Sequence, residues 1–185
     1  MNKVIFLISF LVSSFVYADL VKLSDEGIKL NNDDTEWSCI LDENSSLTWE
    51  VKNDNEGIQY KMSTYTWFDG KTGEENGKYS RNCFWGKDCN TKAYVDAINK
   101  QQLCSFNDWR LPSRDELETI VDYYGESDIL VDLRFFPNTQ NTTFWTSVSL
   151  PNNPSLAYEV PFFFGGSIVR DKSIDTHTRL VRSAD

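Results

Sequence analysis

Few side chains in this sequence could do chemistry: four cysteines, one histidine and a scatter of carboxylates. Cys83 and Cys89 flank five residues, "FWGKD", whereas zinc sites bring C-x2-4-C spacing with more Cys or His close by, and His177 is far away in the chain. Zinc is therefore disfavoured and two disulfides fit better. Nucleophilic hydrolysis needs a Ser or Cys with a base beside it, and His177 sits in "DTHTR", a polar turn ahead of the last strand-like run. Glycoside hydrolysis needs two carboxylates flanking a bond. Asp115 and Glu116 lie in a helix first turn, where capping and the helix dipole already account for them. The acidic turns "NNDDTE" (31 to 36), "NDNEG" (53 to 57) and "GEENG" (73 to 77) lack the D-x-[DN]-x-[DN]-G spacing and distal Glu of a calcium loop. They read as solvated turns. No catalytic residue, metal ligand or cofactor is expected, with calcium kept as the weaker reading of those turns.

Contact chemistry is the other option, and aromatic residues carry it. Trp49, Trp109 and Trp145 sit among apolar neighbours in strand or helix-start patterns and are expected in the core. Trp85, inside the short cysteine loop next to Gly86, is a candidate contact residue. "PFFFGG" (161 to 166) sets Phe162, Phe163 and Phe164 on alternating faces, so at least one should leave the core and offer a partner surface. In "SFNDWRLPSRDEL", Trp109, Arg110, Leu111 and Pro112 crowd the start of a helix. Ser113 and Glu116 form the S-x-x-E capping box, and Pro112 holds Leu111 extended. That makes a structural corner. Arg110 is expected to pair with an acidic or carbonyl group within the fold.

The chain has 185 residues, enough for one domain with a real core. Residues 1 to 18, "MNKVIFLISFLVSSFVYA", combine an early Lys, an apolar run from Val4 to Val16 and small residues ahead of a cut, and so read as a secretory signal peptide. A single domain then runs from 19 to 185, with no membrane span expected in the mature chain. A periplasmic, secreted or surface location follows, and it suits disulfides. Four cysteines allow three pairings. The expected one joins Cys83 to Cys89 across a Gly-containing loop and Cys39 to Cys104. The longer closure restricts the unfolded chain by about 4 kcal/mol, against about 2 to 3 kcal/mol for the shorter. A formal charge of -10 and a pI near 4.6 argue against nucleic acid and sulfated polysaccharides as partners.

The elements that must position these residues are legible in part. "CIL" and "LTWEV" flank a polar turn as a hairpin, with Leu47, Trp49 and Val51 on one face. "YKMSTYTWFDGKTG" (60 to 73) alternates aromatic and polar residues up to the Asp69-Gly70 turn. A first helix covers 90 to 102, capped by Asn90 or Thr91, with Tyr94, Ala97 and Ile98 inward. A second starts at the Ser113 box, carries Leu117, Ile120, Val121 and Tyr124 on one stripe and ends at Gly125. Late strands are expected over 142 to 148, 156 to 164, 167 to 170 and 178 to 183, with "LPNNPS" (150 to 155) as a loop and Gly165-Gly166 as a turn. The fold class is α+β: two helices packed on a mostly antiparallel, looped sheet with two disulfides.

In order, "WSC", "LTWEVK", "YTW", "CNTKAYVDAIN", "LCSFNDWRLPSRDEL", "FFPNT", "FWTS" and "RLVR" resemble the C-terminal domain family of the collagen-like adhesin Lcl, over roughly residues 36 to 183. The resemblance implies a C-type-lectin-like domain. It also implies a non-enzymatic exported module, adhesive in some members and a pilus-assembly factor in others. The single-domain form looks more like the second kind, working on envelope or pilus proteins to support a surface fibre such as a type IV pilus. A carbohydrate-binding adhesion module is the alternative, with glycans as partners. A glycan or cell-wall hydrolase ranks last. Where family members often have Gly after the Cys of "LC", this chain has Ser105.

Overall fold

The computed structural model describes residues 20–184; the expected signal peptide lies outside the described residues. Strands β1 (Leu20–Leu23), β2 (Cys39–Asp42) and β3 (Leu47–Glu50) lead to helix α1 (Thr91–Gln101), a 3-10 turn (Leu103–Ser105) and helix α2 (Arg114–Glu118). Strands β4 (Thr143–Leu150), β5 (Asn153–Pro161), β6 (Ile168–Asp171) and β7 (Val181–Ser183) complete the chain. The architecture is α+β, with the strands in two antiparallel sheets rather than one, ordered β1-β2-β3-β7 and β4-β5-β6. The disulfides join Cys39 to Cys104 and Cys83 to Cys89.

The four-stranded sheet divides two cores. Ile40, Trp49 and Val181 are cross-strand partners on one face and pack with Leu117, Phe144, Val160 and Phe162. On the other face, Leu23 and Cys39 pack with Tyr94 and Ile98 of α1 and with Trp109. This explains β3. Its alternation puts Leu47 and Trp49 inward, yet Thr48 and Glu50 are buried too because α1 and the Trp109 segment cover their face. Trp109 and Trp145 lie in the core with Trp49.

Segment 60 to 68 joins no sheet and is held by single bridges, Tyr65 to Thr176 and Thr66 to Asn90. Two indoles fix it instead: Trp145 Nε1 donates to the Tyr65 carbonyl (2.7 Å) and Trp67 Nε1 to the Thr146 carbonyl (2.8 Å). Asn90 caps α1 by accepting from the Ala93 N–H.

Three further features differ from the sequence reading. The second helix stops at Glu118 instead of reaching Gly125, and Tyr124 points to solvent rather than onto the core. Thr119 ends it, its hydroxyl donating to the Glu116 carbonyl (2.7 Å), and the Asp122 N–H then turns to the Leu130 carbonyl. Most of "LPNNPS" is strand, because β4 and β5 meet through a two-residue turn at Pro151 and Asn152. Finally, β1 was not anticipated: "LVKL" is too short to show alternation and is recruited by the edge of β2.

Candidate partner-binding surface

The "DWRLP" corner is built from backbone pairing. Asn99 of α1 acts as a stand-in strand, its side chain accepting from the Trp109 N–H (2.7 Å) and donating to the Trp109 carbonyl (2.8 Å). One residue on, Arg110 exchanges both backbone hydrogen bonds with Val181 (2.9 Å each). The chain here is wedged between α1 and β7. The Trp109 indole donates to the Leu103 carbonyl (3.1 Å), and the Pro112 carbonyl accepts from the Ser147 N–H of β4 (2.7 Å). Leu111, half-buried, bridges two apolar clusters.

Arg110 grips Glu116 through two parallel bonds, Nη1 to Oε2 (2.8 Å) and Nη2 to Oε1 (2.7 Å). Glu116 also completes the capping box, its Oε2 accepting from the Ser113 N–H (2.7 Å) while Ser113 Oγ accepts from the Glu116 N–H (3.2 Å). The Arg110 bonds, reinforced by the Ser113 N–H, hold the Glu116 carboxyl down at about 2. Arg110 and Glu116 are spent on each other, and Asp108 accepts from Arg182 Nε of β7 (2.7 Å), so the corner is a joint.

That joint aims the chain that follows it. Beyond α2, Val121 enters the core and successive side chains then diverge: Tyr123 lies on the β5–β6 turn while Tyr124 stands 97% exposed. Gly165 and Gly166 adopt φ of 72° and 66°, and the Gly166 N–H donates to the Tyr123 hydroxyl (2.9 Å). A side chain at Gly165 would collide with the Tyr123 ring, so only glycine permits the contact. Phe163 and Phe164, 46% and 54% exposed, meet edge to face on the same turn with ring centroids 4.8 Å apart. Phe162, by contrast, is buried against Phe144 (4.7 Å) and cannot serve as a surface residue. Its carbonyl accepts from the Leu130 N–H (2.7 Å), which ties the turn to the loop after α2. Tyr123, held by that hydrogen bond, and the mutually packed Phe163 and Phe164 thus place three solvent-facing rings at the β5–β6 turn.

Tyr124 marks the wall of an adjoining groove of about 920 Å³. Ile120, Val121, Phe135 and Phe136 supply its apolar lining, and Asp42, Asp122, Glu126 and Asp132 also line it. A smaller hollow of about 300 Å³ lies by the short disulfide, lined by Tyr60, Met62, Cys83 and Phe84 among others. There Trp85 is folded half-buried toward Tyr65 (6.3 Å), and Phe84 is the exposed ring of the loop.

The groups with chemical potential are elsewhere and enclosed. Glu50, Lys52, Tyr94 and Arg179 form a buried polar cluster. Lys52 Nζ lies 2.9 Å from Glu50 Oε1 and 2.6 Å from the Tyr94 hydroxyl, which itself donates to Glu50. Arg179 donates to the Glu50 carbonyl (3.0 Å) and to Thr139 Oγ1 (2.7 Å). Burial pushes Lys52 down, against the opposing pull of the Glu50 charge, and pushes Tyr94 up. His177 is pushed down to about 4, first by burial and then by the Lys52 charge. It is neutral at pH 7. Among the described residues no group of three or more His, Cys, Asp or Glu could hold a metal ion, and no helix is long and apolar enough to cross a membrane.

Residues 38–182 match the Lcl C-terminal domain family. No curated protein and no solved structure matches the chain.

Proposed function

The chain belongs to the Lcl C-terminal domain family, and from that premise we propose that it is a non-enzymatic exported module that supports a bacterial surface fibre, a type IV pilus, by protein-protein contact. The observation that carries this reading is the exposed aromatic surface of Tyr123, held by its hydrogen bond to the glycine turn, and the mutually packed Phe163 and Phe164. Large rings held in this way in solvent lose little entropy on docking, the property expected of an interface anchor. The partners are envelope or pilus proteins, met in the periplasm or at the cell surface after the signal peptide is removed. The C-type-lectin-like character belongs to the same proposal, as do the interface roles of Phe163 and Phe164. Deleting the gene and counting surface fibres tests the reading. Loss of fibres is expected, and unchanged fibre number with unchanged adhesion would overturn it.

The second reading, a glycan-binding adhesion module, is favoured by the same exposed rings, since aromatic faces stack on sugars. A chain of net charge -10 is a poor match for sulfated polysaccharides, so neutral glycans would be its ligands. Glycan-array signal abolished by Phe164→Ser would favour it, and a blank array with and without calcium would remove it.

A further inference from the structure

Resting on the reading that this chain works by holding a protein, we propose that the groove beside Tyr124 takes a basic amphipathic segment of the partner, with apolar side chains on the floor and Lys or Arg along the rim.

The lining of the groove supplies both halves of that description. The floor is made by the outer edges of the core residues Ile120, Val121 and Phe136 and by the half-buried Phe135, and Tyr124 adds a ring exposed to solvent. Asp122 and Glu126 stand beside them as the rim carboxylates, whereas Asp42 is buried and accepts from the Asn44 and Ser45 N–H groups and the Ser45 hydroxyl. Among the described lining residues Arg134 carries the one positive charge, and its ion pair with Asp132 (2.6 Å) offsets that carboxylate. Burial of an apolar face supplies affinity while the rim selects by charge. The rim rejects nucleic acid and anionic glycans. A second copy of a chain with net charge -10 would bring carboxylates to carboxylates. An acidic helix would be repelled at the rim, and an uncharged one would leave the carboxylates unanswered.

The test uses the protein purified after export from cells expressing the full chain. Its probes are two fluorescein-labelled amphipathic peptides of about four helical turns, alike on a leucine face and carrying lysine or glutamate on the other. Fluorescence anisotropy should show saturable binding of the lysine peptide, weakening as salt rises from about 50 mM to about 500 mM, and no binding of the glutamate peptide. Tyr124→Ala and Glu126→Lys should each weaken the lysine peptide by about fivefold or more. Glu56→Lys makes the same charge change at the other hollow and should leave binding close to wild type, as should Phe163→Ser on the aromatic surface. Equal binding of both peptides, an equal loss with Glu56→Lys, or no effect of Tyr124→Ala would overturn the proposal. So would sedimentation of the peptide-free protein as a dimer that Tyr124→Ala dissociates, which would assign the groove to self-association. If the lysine peptide binds as expected but fibres persist in the deletion strain, the fibre reading fails and the groove assignment stands. Fibre loss with no peptide binding gives the reverse.

Discussion

Replacing Arg110 by alanine removes both bonds to Glu116 but leaves the Ser113 contacts of the capping box in place. The Glu116 carboxyl sits at about 2 in the fold. Against an unfolded value of about 4.3, the shift corresponds to about 3 kcal/mol at 1.36 kcal/mol per unit. That is a ceiling, because the side chains of Arg110 and Glu116 are 42% and 24% exposed and solvent screens the pair. A realistic loss for Arg110→Ala is about 1 kcal/mol, or about 3 °C in Tm for a domain of this size. Glu116→Gln, which also weakens the cap, should cost about 1 to 2 kcal/mol. The sign with pH follows from the depressed carboxyl. Its stabilisation is complete above about 4.3 and is lost as pH falls through about 2. Urea unfolding at pH 7 and along an acid series, with a carbon-13 NMR titration of Glu116, reads both quantities. Arg110→Ala should bring the Glu116 midpoint up toward its ordinary range and flatten the acid loss. An unaltered urea midpoint at pH 7, with wild-type Glu116 titrating normally, would refute the joint. If fibres were also lost in that stable variant, Arg110 would be a partner-contacting residue instead.

Three further outcomes are expected. Because burial holds the His177 imidazole at about 4, the unfolded chain binds a proton the folded one refuses between about 6.5 and 4, so stability falls on acidification by up to about 3 kcal/mol across that window. His177→Gln should flatten this segment of the profile, and an unchanged slope would exclude His177 as its source. Ser105 adopts φ 64°, and Ser105→Gly should raise stability by about 0.5 to 1 kcal/mol in urea melts, because glycine meets no penalty there; a loss of stability would contradict that. Glu50→Gln leaves the Lys52 ammonium buried without its counter-charge and should cost about 3 kcal/mol or more, with Lys52→Met added to it recovering part of the loss; strictly additive losses would show the pair is not coupled.

The sequence showed most clearly what depends on neighbours along the chain. The capping box needs only Ser113 and Glu116, and the hairpin of β2 and β3 needs only alternation around a polar turn. Ser105, the one departure noted from the resembled pattern, sits at a left-handed position (φ 64°), where glycine is the residue that meets no steric penalty. What stayed hidden depended on distant covering. Glu50 reads as an outward strand position, and only α1 packing over that face buries it with Lys52 and Arg179. The stripe Leu117, Ile120, Val121 and Tyr124 matches a helix of about three turns starting at the Ser113 box. Yet Thr119 and the Leu130 carbonyl divert the chain early and hand Tyr124 to the groove. Phe162 to Phe164 illustrate both sides: alternation announced that rings would leave the core, but which one stayed in was decided by Phe144 and the Leu130 N–H across the fold. The groove draws on segments around Asp42, Ile120 and Phe135, far apart in the chain, and no local pattern announces it.

The central claim is that the aromatic surface on the β5–β6 turn is what this module offers to a surface fibre. Complementing a deletion strain with wild type or with Phe163→Ser/Phe164→Ser, at matched levels of exported protein, tests it most directly. Each ring is only about half buried, so the double change, which loses their edge-to-face contact, should lower the unfolding temperature by no more than a few degrees and leave the domain folded. Fibre counts should be restored by wild type and remain low with the double variant. Equal restoration by both proteins would contradict the account.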